Sequence, residues 1–296
     1  MTTPDVSDTL AQSSTQPYAE VIGDPIAQSK SPAIHGYWLR GLGIAGDYGR
    51  AHVRGADLQA YIATRRADAN WRGCNVTMPH KLAVMPYLDH IDPLAAKVGA
   101  VNTVVRGANG RLTGYNTDVP GFMEPLLPML ASPTPPRRAL VLGAGGAARA
   151  VVLGLIQAGL KVTLAARDVA KAQAMLDDLA PGDPLLAADM ARFARPGGGA
   201  FDLVVNASPL GMVGNPPLAF DISHVAPGGV VYDIVTAPLE TPLLQAARAS
   251  GRVAIDGLSM LIGQADVAFV HFFGAQPPRG GADDALRAIL TGAAPQ

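Results

Sequence analysis

A single cysteine, Cys74, stands among the 296 residues, so no internal disulfide is available and a reducing compartment is expected. The six histidines (His35, His52, His80, His90, His224 and His271) show neither HxxxH nor Cys/His ligand spacing, so no metal centre is expected. No run of like charges occurs: 23 Lys+Arg face 24 Asp+Glu, a formal net charge of −1. That balance speaks against a nucleic-acid footprint or a polybasic membrane contact and leaves a small molecule as the expected partner. Long apolar runs are also missing, because Arg149 and Lys161 interrupt the longest stretches well short of a membrane span. The first basic residue is Lys30, so the charged n-region of a signal peptide is absent and a cytoplasmic location is expected. Aromatic residues make up only 5%, too few for a typical β-sandwich core, and the many Ala and Gly residues suit helices packed closely on a sheet.

What is present is a 49% hydrophobic chain long enough for about two domains of the usual ~150 residues. Residues 1–17 are polar and aperiodic and read as a solvated tail. Strand, loop and helix then alternate: a strand over Tyr18–Ile22, a helix near 32–42 with Ser31 as its N-cap and Pro32 first inside, a helix over Leu58–Arg65, a strand over Gly73–Met78, a helix over Pro79–Tyr87 and a strand over Ala100–Val105. The alternation predicts a mostly parallel sheet covered by helices. A helix over Gly121–Leu130 leads to ASPTPPRR, whose three prolines mark a domain junction. From Ala139 the pattern restarts as strand, glycine loop, helix, strand and helix, with later strands FDLVVNA and GGVVYDIV, which is a second, doubly wound unit. The apolar helix DGLSMLIGQADVAFVHFFG is the segment expected to return to the first domain.

Gly143, Gly145 and Ala148 form G-x-G-x-x-A between an expected strand and an expected helix, the context in which such glycines cradle a dinucleotide pyrophosphate. Gly143 permits the turn, Gly145 and Gly146 allow backbone N–H groups to approach the phosphates, and the positive helix end faces them. Where an NAD site would carry a lone acid, the second strand ends in Arg167-Asp168, with Lys171 a turn later. Two cations suit a 2′-phosphate, hence NADP, while Asp168 acts in the other direction and keeps NAD possible.

The segment GCNVTMPHK, residues 73–81, puts Lys81 in the first turn of a helix, where the dipole disfavours a cation by up to about 1 kcal/mol, a setting suited to an acid/base lysine. Most lysines are solvated, and position alone does not decide between the two. Asp118 in NTDVPG fits either an N-cap or a carboxylate partner for Lys81. Ser29 and Ser31 pair hydroxyls beside a helix start, which can receive a carboxylate.

VIGDPIAQSKSPAIH, CNVTMPHK, GAVNT, GYNTD, LGAGGAARA, VNASPLGM, VYDIVTAPLETPLL and DGLSMLIGQA follow one another in an order that resembles the shikimate dehydrogenase family from about Tyr18 to Phe273. The resemblance implies an α/β fold: a split substrate-binding catalytic domain (18–118 and 257–296) and a Rossmann-like NADP-binding domain (119–256). It implies that Ser29 and Ser31 hold the shikimate carboxylate, that Thr77, Asn102, Asp118 and Gln264 bind ring hydroxyls or the carboxylate, and that Lys81 is the acid/base with Asp118 beside it. Gly143, Ala144, Gly145, Gly146 and Ala147 would take the pyrophosphate, Arg167 and Lys171 the 2′-phosphate, and Ile234 and Gly257 would lie near the nicotinamide. The expected activity is reversible NADPH-dependent reduction of 3-dehydroshikimate on the route to chorismate and the aromatic amino acids, by a monomer or homodimer. Thr236 stands where the family usually has tyrosine, Asp168 where it has threonine, Ser259 where it has glycine, and Asp266 where it has a small apolar residue. Asp168 and Thr236 motivate a competing reading, an NAD-preferring quinate/shikimate dehydrogenase or relaxed paralogue. A non-catalytic sensor of dehydroshikimate or NADP is another, against which Lys81 and Asp118 argue.

Overall fold

The computed structural model describes residues 15–292, so most of the expected tail, residues 1–14, lies outside the described residues. The chain opens with β1 (Tyr18–Gly23), α1 (Ser31–Leu42), β2 (Asp47–His52), α2 (Leu58–Ala67), β3 (Trp71–Val76), α3 (His80–Ala83), β4 (His90–Ile91), α4 (Pro93–Val98), β5 (Thr103–Arg106) and β6 (Leu112–Tyr115). These strands form one sheet in the order β2-β1-β3-β5-β6-β4. The sheet is mixed, because β5 runs antiparallel to both β3 and β6 while the remaining pairs are parallel. The expected mostly parallel sheet fails at β5, which is joined to β6 by the short polar turn Gly107–Arg111, and so short a connection can only make a hairpin. Ile22, Trp71, Val76, Val104 and Leu112 fill the core under α2.

Three helix expectations change. Pro79–Tyr87 is not one helix: α3 is a single turn and a 3-10 turn follows at Met85–Tyr87, because Pro86 lacks an N–H and its ring crowds the preceding turn. Likewise Gly121–Leu130 becomes α5 (Asp118–Met123), a 3-10 turn (Glu124–Leu126) and α6 (Leu127–Leu130), interrupted at Pro125 and Pro128. Ser31 is the first residue of α1 rather than its cap, and Lys30 takes the cap position without a side-chain hydrogen bond.

Past α6 come β7 (Arg138–Leu142), α7 (Gly146–Gln157), β8 (Lys161–Ala166), α8 (Val169–Leu179), β9 (Leu186–Asp189), β10 (Phe201–Asn206), β11 (Val225–Asp233), α9 (Pro242–Ala249), β12 (Val253–Ile255) and α10 (Gly257–Phe273). Their sheet is wholly parallel, in the order β12-β11-β10-β7-β8-β9. Read from the first strand of the unit this is the doubly wound order 3-2-1-4-5-6, whose switch point between β7 and β10 is where such sheets bind nucleotides. The strands read as near-continuous apolar runs because helices cover both faces. α11 (Gly281–Thr291) is the last helix of the described residues. Packing divides the described residues into two units: one ends at Asn116 and resumes at Ala265, the other is Thr117–Gln264. No helix of the described residues is long and apolar enough to cross a membrane.

Candidate functional site

Within the first unit, parallel β1, β2 and β3 end side by side, at Gly23, His52 and Val76. The loop after β1 carries Ser29 and Ser31, whose Oγ atoms lie 3.4 Å apart, and the Ser31 N–H points to Ser29 Oγ at 3.4 Å. Two cations hold this loop. Arg50 donates from Nε and Nη2 to the Ser29 carbonyl at 3.0 and 2.5 Å, and Lys30 donates to the Leu290 carbonyl at 2.9 Å in the last turn of α11. Thr77 follows β3 directly, its N–H on the Ile22 carbonyl at 2.9 Å. A Cβ on Gly23 would sit 2.5 Å from Thr77 Cγ2, so only glycine allows this approach.

Lys81 is the second residue of α3, and its carbonyl accepts from Val101 N at 2.8 Å, while the Asn102 carbonyl accepts from Val76 N at 2.7 Å. Lys81, Thr77 and Asn102 are thereby gathered at one end of β3. With only four residues, α3 has a small macrodipole, so Lys81's setting rests on these tertiary bonds rather than on the full helix dipole expected from the sequence. The preceding residue fixes the turn further, for His80 is buried with its Nε2 2.6 Å from the Val53 carbonyl. At the head of the motif, Gly73 has φ +149°, and a Cβ there would meet the Val104 carbonyl oxygen at 2.1 Å.

Asp118 and Gln264 belong to the second unit. Asp118 is the first residue of α5 rather than an N-cap, and both side chains are buried. α5 and α10 touch through glycines: a Cβ on Gly121 would lie 2.3 Å from Gln264 N, and one on Gly263 3.0 Å from Gly121 Cα. The Thr117 hydroxyl reaches Gln264 Oε1 at 3.5 Å, and Gln264 Nε2 donates to the Leu261 carbonyl at 3.0 Å.

The glycine loop lies between β7 and α7. Gly143 has φ +111° and packs so tightly on Ser208 that a Cβ would fall 2.9 Å from it. Gly145, the N-cap of α7, is exposed and has no atom within 4 Å of a Cβ position. It offers no side-chain cap, so the first N–H groups of a twelve-residue helix face an open approach beside Ala144, Gly146 and Ala147. This is what a pyrophosphate requires. At the tip of β8, Arg167 and Lys171 are exposed, and their side chains make no hydrogen bond or ion pair among the described residues. Asp168 caps α8, its Oδ1 accepting from Lys171 N at 3.0 Å. Ile234 and Gly257 come together: a Cβ on Gly257 would lie 2.6 Å from the Ile234 carbonyl oxygen.

Several supports had no individual place in the sequence reading. Asp233, buried at the end of β11, accepts from Asn206 Nδ2 at 3.0 Å, Val235 N at 3.1 Å and Thr241 Oγ1 at 2.7 Å. Burial raises its carboxyl above its ordinary value, and the bonds from Thr241, Val235 and Asn206 work against that shift. The signal was available, since VVN and VYD each end an apolar strand in a polar residue. Asp266, by contrast, was singled out in the sequence as a departure from the family pattern; it binds Arg279 at 2.7 Å and Gln276 at 2.7 Å, tying α10 to the segment before α11.

Residues 21–104 match the family model described as the shikimate dehydrogenase substrate binding domain. The chain is 52% identical, over 93% of its length and 97% of the relative's, to the shikimate dehydrogenase (NADP(+)) of Sphingopyxis alaskensis. Among solved structures it is similar to shikimate 5-dehydrogenase from Thermus thermophilus in complex with NADP(H) and shikimate, at 36% identity and a TM-score of 0.78, covering 92% of this chain and 99% of that one. It is also similar to quinate dehydrogenase from Corynebacterium glutamicum in complex with NAD, at 34% identity and a TM-score of 0.79, covering 93% and 99%. With a glycine loop open to a pyrophosphate, a lysine and an asparagine tied to one strand end, and relatives matched over nearly the whole chain, the protein belongs to the shikimate dehydrogenase family.

Proposed function

We propose that the protein catalyses the reversible NADPH-dependent reduction of 3-dehydroshikimate to shikimate, in the cytoplasm, as a step toward chorismate and the aromatic amino acids. The observation that carries this reading is the 52% identity over 93% of the chain to an NADP-dependent shikimate dehydrogenase. The residues fit the chemistry. Ser29 and Ser31 offer paired hydroxyls to the substrate carboxylate, and Thr77, Asn102, Asp118 and Gln264 offer donors and acceptors to the ring hydroxyls. The backbone of Gly143, Ala144, Gly145, Gly146 and Ala147 receives the pyrophosphate, Arg167 and Lys171 neutralise the 2′-phosphate, and Ile234 and Gly257 shape the nicotinamide end.

When bound, the nicotinamide exchanges a hydride with C3 of the ring. In the oxidative direction the Lys81 amine takes the proton from the C3 hydroxyl as that carbon becomes a carbonyl, and in reduction the ammonium returns it. Asp118 holds the hydroxyl and balances the charge on Lys81. Shikimate oxidation followed by absorbance, with NADP and NAD at matched concentrations and repeated with quinate, tests the assignment. NADP-linked shikimate turnover is expected to exceed each other combination. Quinate turnover with NAD comparable to it would favour the quinate/shikimate reading, and no turnover with either acid would favour a sensor.

A further inference from the structure

A row of polar side chains runs through the interior of the first unit from Tyr48 to Asn102 of the candidate site. Tyr48 donates to Asn75 Oδ1 at 2.5 Å, Asn75 Nδ2 donates to Thr103 Oγ1 at 3.0 Å, and Thr103 donates to Asn102 Oδ1 at 3.1 Å. All four residues are buried, so each bond is made away from water, where a polar group left without its partner is costly. The row has a direction. Because Asn75 Oδ1 is taken by the phenol, its amide nitrogen must face Thr103. The Thr103 proton then goes to Asn102 Oδ1, which turns Asn102 so that its amide nitrogen is the donating end. Tyr48 itself is held in place by its ring, stacked on His35 with centroids 3.9 Å apart and planes 2° from parallel.

We infer that Tyr48 is a positioning residue for substrate, its hydroxyl fixing, through Asn75 and Thr103, the amide orientation of Asn102. The inference rests on the reading of Asn102 as a shikimate ligand. Without the phenol hydroxyl, Asn75 Oδ1 loses its donor and the row is no longer oriented from that end, which weakens the preference for the Asn102 orientation that substrate meets.

Tyr48→Phe keeps the ring on His35 and removes one oxygen. The expected result is a shikimate KM raised about tenfold, with kcat changed less than about threefold and the NADP KM unchanged. Thr103→Val breaks the same row further along and is expected to do the same. The double variant is expected to be no worse than about twofold beyond either single one, because a row already broken cannot be broken twice. A shikimate KM within about twofold of wild type in both single variants, or single effects that multiply in the double, would overturn the inference. Absence of shikimate turnover in the wild type would instead overturn the proposed function, so the two failures are separable.

Discussion

His35 is fully buried, both its ring nitrogens lack a hydrogen-bond partner among the described residues, and its neighbours are the rings of Trp38, Tyr48, Phe269 and Phe272. Burial alone lowers its pKa from 6.5 to about 3. The unfolded chain therefore takes up this proton near pH 6.5 while the folded chain does not. Stability from this group is whole above pH 6.5 and is lost progressively as pH falls toward 3. Between the ordinary value and pH 5 lie about 1.5 units, which at ~1.36 kcal/mol each remove about 2 kcal/mol. The only two tryptophans of the chain, Trp38 and Trp71, both lie in the first unit, so their fluorescence reports unfolding of the unit that contains His35. Urea titrations at pH 7, 6 and 5 on wild type and His35→Phe should show the stability difference shifting by about 2 kcal/mol in the variant's favour from pH 7 to pH 5. His271, which burial also lowers while Asp92 opposes, is common to both proteins and cancels in the difference. Parallel pH profiles would refute the reasoning, since they would mean that water or a partner reaches His35 in the folded state.

Under the proposed mechanism, Lys81→Ala removes proton transfer and leaves the other polar groups of the site in place, so it should lower kcat by about two or more orders of magnitude with little change in shikimate KM, measured by steady-state kinetics. The two loop glycines should separate cleanly. Gly143→Ala, at φ +111° and 2.9 Å from Ser208, should destabilise the second unit by more than about 2 kcal/mol in chemical denaturation. Gly145→Ala, in open space, should cost no more than about 1 kcal/mol, the loss of a glycine N-cap, and raise the NADP KM about tenfold or more, because its methyl would occupy the pyrophosphate approach.

The second unit was the more legible of the two, and the reason is physical. A wholly parallel sheet buried on both faces writes each strand as an apolar run, and the glycine loop marks its first turn, so β7, β8, β10 and β11 and the helices α7 and α8 are visible in sequence. Strands β2 (DYGRAH) and β9 (LAAD) lie at sheet edges, are half polar or nearly featureless, and gave no comparable signal. Among site residues, the motif residues of the glycine loop and of GCNVTMPHK could be read because glycine and proline declare backbone geometry. What holds them could not: Arg50 on Ser29, His80 on Val53 and Tyr48 on Asn75 are contacts between strands or loops more than twenty residues apart, set by register and not by local pattern. Asp266 was likewise opaque until its partner Arg279, thirteen residues on, was brought beside it.

The acid at the strand tip makes a local bond that its residue type alone does not reveal. A carboxylate there ordinarily binds the ribose 2′-OH and signals NAD. Asp168 instead accepts the Lys171 N–H as the N-cap of α8, a bond of about 1 kcal/mol that threonine, serine or asparagine would also make. Its charge is thus anchored at a helix start, while the side chains of Arg167 and Lys171 stand exposed without a partner among the described residues and can turn to a phosphate. Asp168→Ser keeps a cap and removes the charge. If capping is the acid's role, the ratio of kcat/KM for NADP over NAD should change less than about threefold in Asp168→Ser, whereas Arg167→Ala should lower it about tenfold or more. A large rise in NADP preference on Asp168→Ser would mean that the carboxylate still repels the 2′-phosphate, and the cap would then be the lesser part of what this residue does.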